Sequence, residues 1–143
     1  MEIVSANFNL DLYGFSGIAT DNDYTGSAFR LMDKMWRTVK SNNLGNRGLN
    51  IFVYEPEEKV FAGVELYDIP EHSTGLEQKS ITLNKYAYHK HVGSYSLIRK
   101  VGQNMRDELK NEGFVVTLPY IEIYGHWTSD ESKLETELLM CLV

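Results

Sequence analysis

The stretch Thr117-Leu-Pro-Tyr-Ile-Glu-Ile-Tyr-Gly125 carries one carboxylate, Glu122, in otherwise aromatic and apolar company. Strand alternation puts Tyr120, Glu122 and Tyr124 on one face and Ile121 and Ile123 on the other. A carboxylate on such a strand either faces water or is buried at a cost of several kcal/mol unless it finds a partner. A cationic ligand is such a partner. The chemistry in view is therefore counter-charge recognition of an amphipathic cation, with tyrosine rings to stack on it.

Other chemistry has weaker support in the residues. His89 and His91 share one face of a strand, but zinc needs a third and fourth ligand at about 2.0–2.2 Å. No further His or Cys falls at a telling spacing, and His72 and His126 are isolated; no metal is expected. No nucleophile elbow, phosphate loop, dinucleotide fingerprint or HExxH motif occurs, so no cofactor is expected and no catalytic residue is assigned. Gly14-Phe-Ser-Gly17 is one residue short of an elbow. A single acid among tyrosines could still protonate a strained ring or orient a water.

The elements that position Glu122 belong to a chain of 143 residues, expected to form one domain with a substantial core. Its hydrophobic fraction of 43% and charged fraction of 24% are those of a soluble globular protein. The formal charge of −6 repels phosphate backbones, so no direct nucleic-acid partner is expected. The longest apolar run, Leu138–Val143, is too short for a membrane span, and no signal peptide opens the chain. One cysteine, Cys141, precludes an internal disulfide and fits a cytoplasmic location.

A weak internal repeat of roughly 65–70 residues organises the rest. In the first half, about 10–67, a strand over Leu10–Thr20 precedes a helix over Ser27–Ser41. That helix bears Ala28, Met32, Met35, Trp36 and Val39 at helical spacing, with Gly45 suited to a left-handed cap. Strands over Leu49–Tyr54 and Val60–Tyr67 follow, joined by the turn Glu55–Lys59. In the second half, about 80–143, Ser80–His91 reads as one long strand and Gly93-Ser94 opens a helix bearing Ile98, Val101, Met105 and Leu109. Strands over Tyr120–His126 and Lys133–Val143 complete it. Overlaying the halves makes Phe52 the counterpart of Glu122. The sequence thus specifies an α+β fold of two strand–helix–strand–strand units with mainly antiparallel pairing.

In this arrangement the sequence resembles the GyrI-like, or AraC effector-binding, small-molecule domains. Leu31-Met-Asp-Lys-Met-Trp36 is similar to their helix motif, Phe61-Ala-Gly-Val-Glu65 to a strand motif, and Lys85–Gly93 to a strand-and-turn motif. Pro119-Tyr-Ile-Glu-Ile-Tyr124 resembles their diagnostic P-x-x-E-x-Y element. The resemblance runs from about residue 10 to the C-terminus and departs from the family pattern over Asp68–Gln78. It implies two pseudo-symmetric units that bind amphipathic, often cationic aromatic compounds (drugs or toxins) in the cleft between them. Of the family's motif residues, Glu122 and Trp36 carry over. With about ten residues before the first strand, a stand-alone form is implied. For such forms the resemblance offers drug sequestration, contact inhibition of DNA gyrase as a protein partner, or hydrolysis of cyclopropyl toxins. Tetrapyrrole binding is a more remote implication. Phe52, Tyr54, Tyr120 and Tyr124, sharing Glu122's alternation class, are expected with Trp36 to wall the site. Oligomeric state and natural ligand are not legible in the sequence.

Overall fold

The computed structural model covers Met1–Val143. In chain order it contains β1 (Glu2–Val4), β2 (Phe8–Ile18), α1 (Tyr24–Ser41), β3 (Asn50–Tyr54), β4 (Lys59–Val64), β5 (Glu77–Leu83), β6 (Tyr86–Val92), α2 (Ile98–Asn111), β7 (Val116–Tyr124) and β8 (Glu135–Leu142). The strands form a single antiparallel sheet in the order β1-β6-β8-β7-β3-β4-β2-β5. Reading outward from its centre, β3-β4-β2 on one side corresponds to β7-β8-β6 on the other. The α+β fold and the duplicated unit expected from the sequence are both present.

The seam between the halves is the β3–β7 pair. Its register sets Asn50 opposite Tyr124, Phe52 opposite Glu122 and Tyr54 opposite Tyr120. Alternation sends all six of these side chains to the helix-bearing face. The intervening Ile51, Val53, Ile121 and Ile123 point the other way, into a core shared with Leu10, Leu12, Phe61, Leu83 and Leu139.

That second core exists because the sheet curls. In a flat sheet β5 and β6 would lie six strand spacings, about 29 Å, apart. Yet the three peptide steps from Leu83 to Tyr86 reach at most about 11 Å. The two ends of the sheet are therefore drawn together, and Phe8 of β2 meets Tyr86 of β6 with ring centroids 5.7 Å apart. The stretch Ser80–His91, expected as one strand, is broken at Asn84-Lys85 by this crossing, so that β5 pairs with β2 and β6 with β8. The three-residue β1, which precedes the first expected strand, extends the sheet beyond β6.

The helices cover the other face. In α1, Ala28, Met35 and Val39 are buried at helical spacing over β2, β3 and β4. Asp23 caps its N-terminus, accepting from the Gly26 amide at 3.0 Å. The left-handed residue at its end is Asn43 (φ 52°) rather than Gly45. Asparagine's short polar side chain makes that conformation accessible. In α2, Ile98, Gly102, Met105 and Leu109 pack on Ala87, Leu138 and Met140, and Gly113 (φ 86°) follows its end in the left-handed conformation that glycine favours. No helix is long and apolar enough to cross a membrane.

Candidate functional site

Glu122 sits at the middle of the seam and is only 7% exposed. Three phenols donate to its carboxylate. Tyr120 reaches Oε2 at 2.7 Å, while Tyr124 and Tyr54 reach Oε1 at 2.9 and 3.3 Å. Two of these rings are its own strand's i−2 and i+2 neighbours, and the third comes from β3 through the Tyr54–Tyr120 register pair. Those two rings stack with centroids 5.7 Å apart and 19° between planes. Burial, reinforced by the charge and hydrogen bonds of Glu122, pushes the ionisation of Tyr54, Tyr120 and Tyr124 far above the ordinary phenol range. They are held as neutral donors.

No cation of the protein pairs with Glu122. The five ion pairs of the chain all lie elsewhere. Neutral hydrogen bonds satisfy the carboxylate's lone pairs, but no opposite charge touches it.

The carboxylate opens onto a cleft of about 600 Å³ between the two helices. Tyr54, Tyr120 and Glu122 form its base. Asn22, Asp23, Tyr24 and Thr25 at the start of α1 make one wall, and Ile98, Arg99, Gly102 and Arg106 of α2 the other. Glu55 and Leu118 complete the lining. Leu118 comes from an irregularity of β7 between Val116 and Tyr120, the kind of departure from the ladder that re-aims a side chain. Asp23 and Glu55 are already paired, with Arg30 at 3.8 Å and Lys79 at 2.7 Å.

The other residues named from the sequence take different places. Tyr124 stands beside the base, its ring between Phe52 (5.1 Å) and Tyr95 (5.2 Å). Phe52 is 1% exposed and lies beneath Phe29 and Tyr124 rather than on the cleft surface. Trp36 does not line the cleft. Its indole N–H donates to Asn50 Oδ1 at 2.5 Å, and it borders a separate hollow with Asp33, Arg37 and Lys40. His91 is buried, with Nε2 2.9 Å from the Ser94 carbonyl oxygen, an acceptor that selects the Nε2–H tautomer. No three His, Cys, Asp or Glu side chains converge.

The helix-side wall was not read from the sequence. Its signal was there in part: Arg99 and Arg106 are seven residues apart on α2, flanking Gly102, and so share a face. Nothing in the spacing said that this face would look across at Glu122.

The sequence matches no family model and no curated protein. Solved structures are informative about the fold. The C-terminal domain of EcmrR superposes with a TM-score of 0.71 at 16% identity, covering 100% of this chain and 99% of that one. The structure of SAV2435 bound to tetraphenylphosphonium gives 0.65 at 16% identity, covering 100% and 94%. In line with the resemblance read from its sequence, this chain shares the α+β fold of these two proteins. A hydrolase from Listeria innocua shares it more distantly, with a TM-score of 0.57 at 13% identity over 99% and 91% of the two chains.

Proposed function

We propose that this protein binds amphipathic aromatic molecules bearing a positive charge, in the cleft between its two halves, with Glu122 as counter-charge. The observation that carries this reading is a 7%-exposed carboxylate whose hydrogen-bond partners are three phenols and which no cationic side chain contacts. A ligand cation entering the cleft supplies the missing charge. The stacked Tyr54–Tyr120 pair offers aromatic surface to a flat apolar body, with Arg106 already over the Tyr120 ring; a ring face left free is worth about 0.5–2 kcal/mol to a cation. Tyr124 holds the carboxylate from behind. Phe52 and Trp36 act through the packing of the base. That a protein of the same fold is seen with tetraphenylphosphonium supports the ligand class. The halves about 10–67 and 80–143 would then serve as one ligand-binding unit, and the lone Cys141 fits a reducing cytoplasm.

A hydrolytic reading draws on the same cleft. A hydrolase shares this fold, and Glu122 with three neutral phenols is a set that orients a water and accepts its proton. Turnover of an electrophilic cyclopropyl compound would distinguish it from stoichiometric binding.

The test of the binding reading is calorimetric titration with an aromatic phosphonium or quaternary ammonium and with its neutral isostere. Saturable binding of the cation, with the isostere at least about tenfold weaker, supports it. Equal affinity for both overturns the counter-charge role.

A further inference from the structure

The charges around the cleft do not balance for a simple cation. Of its three carboxylates, Asp23 is engaged by Arg30 and by the Gly26 amide, and Glu55 by Lys79. The cleft's remaining charges are Glu122 at the base and two guanidiniums, Arg99 and Arg106, on α2. Neither arginine forms an ion pair within the chain. In a protein of net charge −6 with 20 acidic residues, two unpaired arginines on one wall of a cleft are a marked local excess.

Their placement is specific. Arg106 lies over the ring of Tyr120, its guanidinium carbon 5.3 Å from the centroid, and that same tyrosine donates its hydroxyl to Glu122 at 2.7 Å. One tyrosine side chain therefore separates a cation at the outer part of the cleft from an anion at its base. Arg99 lies two turns earlier on the same helix, about 10 Å along the axis. Gly102 between them has no side chain, and Arg106 Nη1 lies back over it, 3.5 Å from where a Cβ would sit, on the Arg99 side of its own position.

We propose that the ligand of this cleft is zwitterionic: a flat apolar body with a cationic group that meets Glu122 and an oxyanion, in the simplest case a carboxylate, that Arg99 and Arg106 receive. This rests on the cation-binding reading above and narrows it. Guanidinium is suited to the role because its planar donor fork matches a carboxylate in two parallel hydrogen bonds. A purely cationic ligand satisfies Glu122 but approaches two like charges. A zwitterion satisfies all three.

The experiment uses a matched dye pair, a rhodamine with a free benzoate and the methyl ester of the same dye. Both carry the same xanthenylium cation, and only the first carries an anion. Fluorescence anisotropy gives the affinity of each for the wild type, for Arg99→Gln/Arg106→Gln and for Glu122→Gln. We expect the wild type to prefer the free acid by about ten- to hundredfold. The double arginine variant should lose that preference, through weaker acid binding and tighter ester binding. Glu122→Gln should weaken both dyes. Equal binding of acid and ester to the wild type, or a preference that survives the double substitution, overturns the oxyanion subsite while leaving the Glu122 site standing. Failure of both dyes to bind the wild type overturns both. The substituted arginines are exposed on α2, and circular dichroism confirms the fold of each variant.

Discussion

Phe52 and Glu122 face each other across the β3–β7 seam as register partners, and they are also counterparts in the duplicated unit. One half places a phenyl ring where the other places a carboxylate. The symmetry that builds the sheet is thus broken at its centre, where an apolar floor on one strand lies beside a buried charge on the next.

Those two positions respond differently to substitution. Phe52→Ala removes a fully buried ring that packs on Phe29 and Tyr124, and is expected to destabilise the fold by about 3–5 kcal/mol. Glu122→Gln removes a buried charge while keeping an acceptor for the phenols. Its unfolding free energy is expected to stay within about 1.5 kcal/mol of the wild type. Denaturant unfolding of the two variants checks the contrast.

The three phenols are ranked by their distances to the carboxylate. Tyr120→Phe breaks the 2.7 Å bond and is expected to cost about 1.5–3 kcal/mol, as for a hydrogen bond to a charged group. Tyr124→Phe, at 2.9 Å, should cost somewhat less, and Tyr54→Phe, at 3.3 Å, least. Each phenylalanine keeps the ring, so aromatic stacking is unchanged and the series reads the hydroxyls alone. Chemical denaturation of the three single variants gives the order.

Alkaline pH reports on the same cluster. Tyr54, Tyr120 and Tyr124 ionise far above the ordinary phenol range in the folded protein, because they are buried and face Glu122. In the unfolded chain they ionise near pH 10. Below that pH both states hold the protons and stability is unaffected. Above it the unfolded state alone releases them, so stability falls as pH rises, by about 1.4 kcal/mol per pH unit for each tyrosine. Thermal unfolding followed from pH 8 upward should therefore show a flat region and then a steep decline beginning around pH 10. The tyrosinate absorbance of these three residues is expected to emerge together with unfolding rather than ahead of it.

At the tip of the β3–β4 hairpin, Glu57 and Glu58 both take left-handed backbone angles, φ 63° and 60°. Tight hairpins prefer Asn-Gly at two such positions in succession. The double change Glu57→Asn/Glu58→Gly is expected to raise stability by about 1–2 kcal/mol. A matching rise in the denaturation midpoint, with ligand affinity unaltered, is the readout.

Much of this organisation was legible in the residues. The two-residue alternation in Tyr120-Ile-Glu-Ile-Tyr124 is a local property, so it gave the shared face of the two tyrosines and Glu122 directly. The internal repeat carried Tyr54 and Phe52 to the same seam, because pairing about a pseudo-two-fold brings equivalent strands together. The break at Asn84-Lys85 escaped because the stretch holds no Gly or Pro, and only curling of the whole sheet requires it. Trp36 sits on α1 beside Met32 and Met35, and helical spacing alone does not distinguish the cleft from the packing against Asn50. Arg99, Arg106 and Tyr24 entered the cleft through the placement of both helices, which no local pattern encodes.

The counter-charge role of Glu122 is tested most directly by isothermal titration of an aromatic phosphonium into the wild type and Glu122→Gln. Calorimetry suits the site because neither tryptophan lines the cleft, and Trp127 is 75% exposed. The account predicts that the amide variant, still folded, loses about 2–5 kcal/mol of binding free energy for the cation and retains its affinity for a neutral isostere. Undiminished cation affinity in Glu122→Gln would contradict it.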